Sequence, residues 1–275
     1  MQTLYRNVIV ALLASAVMCS PAFAAKKHKK KYRTPVPSAQ SILLIEDDSN
    51  KVIFSRKADA VRSIASITKL LLAVTYVEQY GDTLHEVVEI TKDDLDKIKG
   101  TRSGTPVGKS FTKLDMLGFA LVKSDNRAAH ALARTSDSTE EMVRKMNETA
   151  KRLGMVHTVV VEPTGLSPKN KSTANDLITL VRYASTIPLV AQLSTSAEVT
   201  SIDGLKSVRN TNPNVRTQDN YLVSKTGFIN EAGGCVVSRI TKDGKTYSMV
   251  VLKSRNTKTR WADVRYVTGL IKTNY

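Results

Sequence analysis

The stretch from Ser66 to Tyr76 constrains the fold more than any other part of the chain. Leu70, Leu71, Leu72 and Val74 crowd so closely that a helix here is apolar on nearly every side. Such a helix has no wet face to turn outward and must be wrapped by other elements. The chain is long enough to supply that shell. Its 275 residues, 41% hydrophobic and 24% charged, suit one large domain or two small ones. With 8 Pro and 13 Gly it is not a low-complexity chain, and no repeat of fixed period appears.

The pattern along the chain predicts the shell. Residues 41–46 and 51–55 read as short apolar strands around Asp47-Asp48-Ser49-Asn50, a hairpin. Helical spacing runs over 114–123, 127–134 and 139–153. Ser138, with Glu141 three residues on, predicts a capping box for the last of these, and Gly154 its end. Residues 174–185 predict a further helix. The pattern then switches to strands over 221–228, 234–241 and 245–253, with Asp243-Gly244 as the turn between the last two. Residues 257–272 close as an amphipathic helix with Trp261, Val264, Val267 and Ile271 on one face, expected to pack on a sheet rather than on a membrane. Strands at both ends with helices between them predict one mixed domain whose two ends share a sheet.

The N-terminus predicts export. Arg6, the apolar run 8–18 and Ala22-Phe23-Ala24 have the order of a secretory signal over 1–24, with a mature start at Ala25. The run is short for a membrane span. A lipidated Cys19 is the weaker alternative, because Met18 stands where lipoprotein processing prefers a small residue. Loss of Cys19 leaves Cys235 alone in Gly-Gly-Cys-Val-Val, the start of an expected strand, and so a buried, inert thiol. An exported chain without disulfides fits a bacterial envelope, hence the periplasm. The net charge of +16 predicts attraction to a polyanion. Seven of the eight residues from Lys26 to Arg33 are basic or His, which makes 25–38 a self-repelling, flexible lead-in with a potential peripheral contact to the envelope.

Three short patterns carry chemistry. Ser66-Ile67-Thr68-Lys69 puts a hydroxyl and an amine three residues apart at a helix start, on one face. Burial of the amine beside other cations would let it take the hydroxyl's proton, and the helix N-terminus favours negative charge nearby. The pattern alone is weak: about two copies are expected by chance. The second copy, Ser110 to Lys113, precedes the 114–123 helix and reads as a cap. Ser124-Asp125-Asn126 lies between two helices, where Ser124 and Asn126 could relay a proton and bind a substrate amide, or where the segment is merely a capped junction. Lys225-Thr226-Gly227 falls on a strand. Lys and Thr there would face a carboxylate, and Gly would let a ligand approach the backbone. A second Ser-x-Asn copy, Ser254-Arg255-Asn256, follows Lys-Thr-Gly and is out of order.

Taken in order on a helix start, an interhelix loop and a late strand, these are the signatures of penicillin-binding proteins and serine β-lactamases. Residues 62–69, 117–129 and Glu162-Pro163-Thr164-Gly165-Leu166-Ser167 further resemble the low-molecular-mass penicillin-binding proteins of the D-alanyl-D-alanine endopeptidase type, as do Lys99-Gly100-Thr101 and Pro106-Val107-Gly108. The similarity covers roughly 39–275. It implies an α/β (α+β) fold of the β-lactamase/transpeptidase kind: a mainly antiparallel sheet flanked by helices, with a helical lobe and the active site between them. It implies a serine D,D-peptidase acting on peptidoglycan peptide stems at D-Ala–diaminopimelate cross-links, with β-lactams as covalent inhibitors. In that scheme Ser66 is the nucleophile and Lys69 the general base. Ser124 and Asn126 complete the relay and hold substrate, and Lys225 and Thr226 bind its carboxylate. Gly227 admits the substrate, and the N–H groups of Ser66 and Phe228 form the oxyanion hole.

Class A β-lactamases carry a deacylating Glu in a Glu-x-x-Leu-Asn pattern, absent between Asn126 and Lys225, so slow release of penicillin is expected. The chain ends soon after its last expected helix, so the extra β-domain and membrane-anchoring tail of many D,D-carboxypeptidases are not expected. No metal ligand spacing stands out among His28, His85, His130 and His157, no phosphate loop matches, and no cofactor is implied. The alternatives are a D,D-carboxypeptidase or β-lactamase-like hydrolase using the same residues, and a non-enzymatic envelope-binding protein. Nucleic acid is not an expected partner: the basic run precedes the domain and no stacking-aromatic motif appears.

Overall fold

The computed structural model describes residues 36–271, so the expected signal and the basic run lie outside the described residues. The described chain joins the fold at once. Ser38 donates from its backbone N and its Oγ to the Asp263 carboxylate, at 2.7 and 2.8 Å.

The N-terminal hairpin forms as β1 (Ser41–Glu46) and β2 (Lys51–Arg56). A two-residue strand β3 (Arg62–Ser63) leads into a 3₁₀ turn at Ala65–Ile67 and then α1 (Thr68–Tyr80). Strands β4 (Val87–Glu89) and β5 (Ser110–Thr112) pair and frame the loop between them. The helical lobe follows: α2 (Lys113–Gly118), α3 (Asn126–Arg134) and α4 (Thr139–Arg152). Strand β6 (Lys171–Ser172) returns to pair with β3. After it come α5 (Ala174–Ala184), α6 (Pro188–Thr195) and the small hairpin β7 (Glu198–Thr200) and β8 (Ser207–Arg209). The chain then runs through β9 (Tyr221–Ile229), β10 (Gly233–Lys242) and β11 (Lys245–Ser254) to α7 (Thr257–Thr268).

The two ends do share a sheet. Its order is β2-β1-β11-β10-β9, antiparallel throughout, with Ser41 opposite Leu252 and Glu46 opposite Tyr247. Side chains alternate between its faces. Leu43, Val237, Val250 and Leu252 join the core that holds α1 and α5. Ile42, Leu44, Val236, Met249 and Val251 meet Val264, Val267 and Ile271 on the opposite face. The C-terminal helix therefore packs on the sheet, as its apolar face predicted. Every residue of α1 from Thr68 to Tyr76 is buried, wrapped by α3, α4, α5 and α6.

Three local expectations change. The helix expected over 114–123 is two pieces: α2, then a π-helical turn over Phe119–Lys123 that ends with Ser124 in the left-handed region, φ 61°. Its cap is Thr112, not Ser110. Thr112 Oγ1 accepts from Asp115 N at 3.0 Å and the Asp115 carboxylate accepts from Thr112 N at 3.1 Å, while Ser110 lies exposed in β5. Helix α6 had no strong sequence signal beyond Pro188 at its first turn. Elsewhere the local chemistry acts largely as predicted, except that the capping box expected on α4 is half formed: the Glu141 carboxylate turns to Arg144 rather than back to Ser138 N. Ser138 Oγ accepts from Glu141 N at 3.0 Å, Gly154 follows α4 at φ +77°, and Asp243 and Gly244 turn β10 into β11 at φ 51° and 73°.

Asp47 does more than turn the hairpin. Its carboxylate accepts from Arg182 Nε at 2.8 Å, Arg239 Nε at 2.7 Å and Ser248 Oγ at 2.8 Å, tying the N-terminal turn to α5, β10 and β11.

Candidate active site

The 3₁₀ turn puts Ser66 one helical turn before Lys69, so their side chains meet. Lys69 Nζ lies 3.1 Å from Ser66 Oγ, 2.6 Å from Asn126 Oδ1 and 2.6 Å from the Thr164 carbonyl. Lys69 is fully buried. Burial pulls its pKa down to about 8, against the opposing pull of Glu162, Asp125 and Asp96. A neutral amine has two N–H groups and one lone pair. Asn126 Oδ1 and Thr164 O can only accept, so they take the two protons. The lone pair is left facing the Ser66 hydroxyl, the arrangement that a base activating a nucleophile requires.

The backbone around Ser66 is strained and clamped. Ala65 adopts φ 46°, a left-handed conformation costing about 1–2 kcal/mol for a residue with a Cβ. Its carbonyl accepts from Thr68 Oγ1 at 2.8 Å. Two glycines press on the turn. A Cβ on Gly165 would fall 2.1 Å from Ala65 O, and one on Gly227 would fall 2.9 Å from Ile64 O and 3.0 Å from Ser66 N. No other residue fits either place.

The Ser-Asp-Asn segment divides its labour. Ser124, left-handed at the end of the π turn, lines the cleft. Asp125 caps α3, accepting from Arg127 N at 3.0 Å and Ala128 N at 3.1 Å, and also takes Ser103 Oγ at 2.6 Å. The capped-junction reading is thus right for Asp125, while its neighbours face the cleft. Asn126 turns Oδ1 to Lys69 and Nδ2 to Thr101 Oγ1, at 2.8 Å.

The opposite wall is β9, the edge strand of the sheet. Lys225 is buried and donates to Thr226 O at 3.0 Å. Burial holds its ammonium well below the ordinary lysine range, and the charges of Lys69 and Arg260 add to the effect. Thr226 Oγ1 is 2.7 Å from Thr211 Oγ1. Arg260, on α7, was not anticipated from the sequence. It is buried, donates from Nη1 to the Gly227 and Cys235 carbonyls at 3.1 and 3.3 Å, and has no partner for Nε. Burial lowers its pKa to about 10. The available signal was its spacing, since 260, 264 and 267 share the buried face of α7.

Between these walls lies a cleft of about 610 Å³ lined by Ser66, Ser124, Asn126, Thr226, Gly227 and Phe228, with Lys99, Thr101, Leu166 and Arg260 also on its surface. Six of the eight predicted site residues line it directly. Lys69 and Lys225 stand buried behind the wall. The rival motif copies are structural. Ser254 is buried and donates to Asp263 at 2.6 Å, and Asn256 caps α7. Cys235 is buried, and its thiol is pushed up to about 11 by burial.

Glu162 is the second feature the sequence reading left without a role. Its carboxylate accepts from the backbone N–H of Thr164 and Gly165, both at 2.7 Å, from Ser167 N at 3.1 Å and from Asn170 Nδ2 at 2.9 Å. It is turned into its own loop, which it shapes so that the Thr164 carbonyl reaches Lys69.

Comparison with known proteins agrees with this architecture. The family model described as D-alanyl-D-alanine carboxypeptidase matches residues 28–256. The chain is 38% identical over 229 residues to a Pseudomonas aeruginosa protein named D-alanyl-D-alanine endopeptidase, covering 81% of this chain and 74% of that one. It is 34% identical over 275 residues to an Escherichia coli protein of the same name, covering 96% and 88%. Among solved structures, penicillin-binding protein D2 from Listeria monocytogenes in its ampicillin-bound form superposes with a TM-score of 0.74 at 26% identity, covering 86% of this chain and 98% of that one. A Streptomyces K15 DD-transpeptidase mutant superposes with a TM-score of 0.78 at 24% identity over the same shares, a likeness of fold. The chain belongs to the D-alanyl-D-alanine carboxypeptidase family and is a serine-type D-Ala-D-Ala hydrolase.

Proposed function

We propose that the chain is an exported D,D-endopeptidase that opens D-Ala–diaminopimelate cross-links of peptidoglycan through an acyl-enzyme on Ser66. The observation that carries the reading is the hydrogen-bond pattern of Lys69, which leaves a lone pair for the Ser66 proton. Ser66 Oγ attacks the D-Ala carbonyl while its proton passes to Lys69. The N–H groups of Ser66 and Phe228 receive the developing oxyanion, each such donor contributing about 3 kcal/mol. The proton then goes to the leaving amine, with Ser124 at hand in the cleft, and the C–N bond breaks to leave a serine ester. Water hydrolyses the ester and restores Ser66.

The cation-rich wall supports the substrate class. The leaving amine sits next to a carboxylate, both in diaminopimelate and in a terminal D-Ala; Arg260 and Thr226 on the cleft surface offer it charge and a hydroxyl, with Lys225 buried directly behind them. Asn126 Nδ2 has a second proton for a substrate carbonyl. The same residues would serve D,D-carboxypeptidation. The curated relatives of Pseudomonas, Escherichia and Haemophilus, at 34–38% identity, support the endopeptidase preference. The occupied Glu162 carboxylate supports slow release of penicillin, against a β-lactamase. Residues 1–24 act as a cleaved signal, the basic part of 25–38 ahead of Ser38 as a lead-in that contacts the anionic envelope, and 39–275 as the peptidase domain in the periplasm, with Ser38 already tied to it.

The test is product analysis. Incubated with a purified cross-linked muropeptide dimer, the enzyme yields monomers, and Ser66→Ala does not. Release of D-Ala from a pentapeptide stem with the dimer intact would replace the reading by the carboxypeptidase. Neither product from folded protein would remove it.

A further inference from the structure

The Asn126 amide is nearly symmetric in shape, yet only one of its two orientations works. With Oδ1 toward Lys69 it accepts a proton; flipped, it would set Nδ2 against the amine, donor against donor. Something must fix the choice. The partner on its far side is Thr101, whose Oγ1 is 2.8 Å from Asn126 Nδ2. A hydroxyl can donate or accept, so Thr101 alone would not decide. Its proton, however, is claimed by Asp96 Oδ2 at 2.6 Å.

Asp96 can only accept while ionised, and the loop keeps it so. Its carboxylate also receives Ile98 N at 2.8 Å, Lys99 N at 2.9 Å and Thr101 N at 2.8 Å, and these bonds with Thr101 Oγ1 outweigh burial and hold its pKa below the usual carboxylate range. Donation thus runs one way along the chain. Ser66 faces the Lys69 lone pair, Lys69 donates to Asn126 Oδ1, Asn126 Nδ2 donates to Thr101, and Thr101 donates to Asp96. The loop is also tied to the far wall: Lys99 Nζ lies 2.6 Å from Glu231 Oε1, in the turn between β9 and β10.

We propose that Thr101, oriented by Asp96, is the positioning residue that fixes the Asn126 amide and, through it, the direction of the Lys69 lone pair. The inference rests on the acyl-enzyme reading above. Neither Thr101 nor Asp96 touches the reacting atoms in this role; they act through Asn126.

The test is the rate at which a fluorescent penicillin labels the enzyme. Thr101→Val keeps the side-chain shape and removes the hydroxyl. It is expected to slow labelling at least about tenfold, the scale of a lost hydrogen bond that aligns a catalytic group. Thr101→Ser restores the hydroxyl and is expected to stay within about threefold of the parent. Asp96→Asn, which can donate to Thr101 and so frees its proton to face Asn126, is expected to slow labelling like Thr101→Val. Equal rates for Thr101→Val and the parent would overturn the proposal. So would a Thr101→Ser as slow as Thr101→Val, because the methyl packing would then be what matters. Failure of the parent itself to be labelled at Ser66 would sink the acyl-enzyme reading instead, so the two failures are distinguishable.

Discussion

Gly227 lies against the backbone of Ser66 so closely that a Cβ would stand 3.0 Å from Ser66 N. The edge of the sheet and the Ser66 turn therefore touch through bare backbone, and the spacing of the cleft is set there. Gly227→Ala is expected to push β9 away from Ser66. Penicillin labelling should fall about 100-fold, the cost of a roughly 1 Å displacement of reacting groups. Stability should fall by about 1–3 kcal/mol from overpacking. Labelling kinetics and urea unfolding on the same preparation check both.

Gly165→Ala is expected to be the more damaging to the fold. Its φ of +85° disfavours any Cβ, and that Cβ would lie 2.1 Å from the Ala65 carbonyl, a rigid backbone atom. Loss of about 3 kcal/mol or more in urea unfolding is expected, with strain and overpacking acting together.

The rate of acylation should follow the protonation of Lys69. A protonated Lys69 has no lone pair for Ser66, and its pKa is drawn down to about 8 by burial. Acylation should therefore be slow below that value and rise to a plateau above it. Glu162, Asp125 and Asp96 oppose the shift, while Lys225 stands behind the same wall. The pH profile of penicillin labelling checks this. A limb centred near the ordinary lysine value of about 10.4 would contradict it.

Asp47 offers a prediction away from the cleft. Asp47→Ala leaves Arg182 and Arg239 without their shared carboxylate and frees the Ser248 hydroxyl. The pairs are half-buried, with both guanidinium groups partly in water, so losing the shared acceptor costs about 1–3 kcal/mol. Urea unfolding should show a loss on that scale, while the folded fraction labels with penicillin at the parent's rate.

Much of this was legible because single residues carry strong local meaning. The run from Leu70 to Val74 required a wrapped helix, and α1 is wrapped. Asp243-Gly244 and Ser138 act as turn and cap. The three motifs fell on a helix start, an interhelix loop and an edge strand, the elements that bring them together at one cleft. What escaped were residues whose role exists only in three dimensions. Arg260 reaches the cleft from the far end of the chain, Thr164 contributes only its carbonyl, and Thr101 matters through an amide 25 residues away in sequence. The π turn before Ser124 escaped for another reason. Helical spacing does not distinguish a six-residue α2 followed by a wider turn from one continuous helix.

The central claim is that Ser66, activated by Lys69, forms an ester with its substrate, and intact mass spectrometry tests it most directly. Incubated with a penicillin, the protein should gain the mass of one whole penicillin, since ring opening expels no leaving group, and the adduct should persist. Ser66→Ala, equally folded, should gain nothing. An adduct of the same mass on Ser66→Ala, or no adduct on the folded parent, would contradict the account.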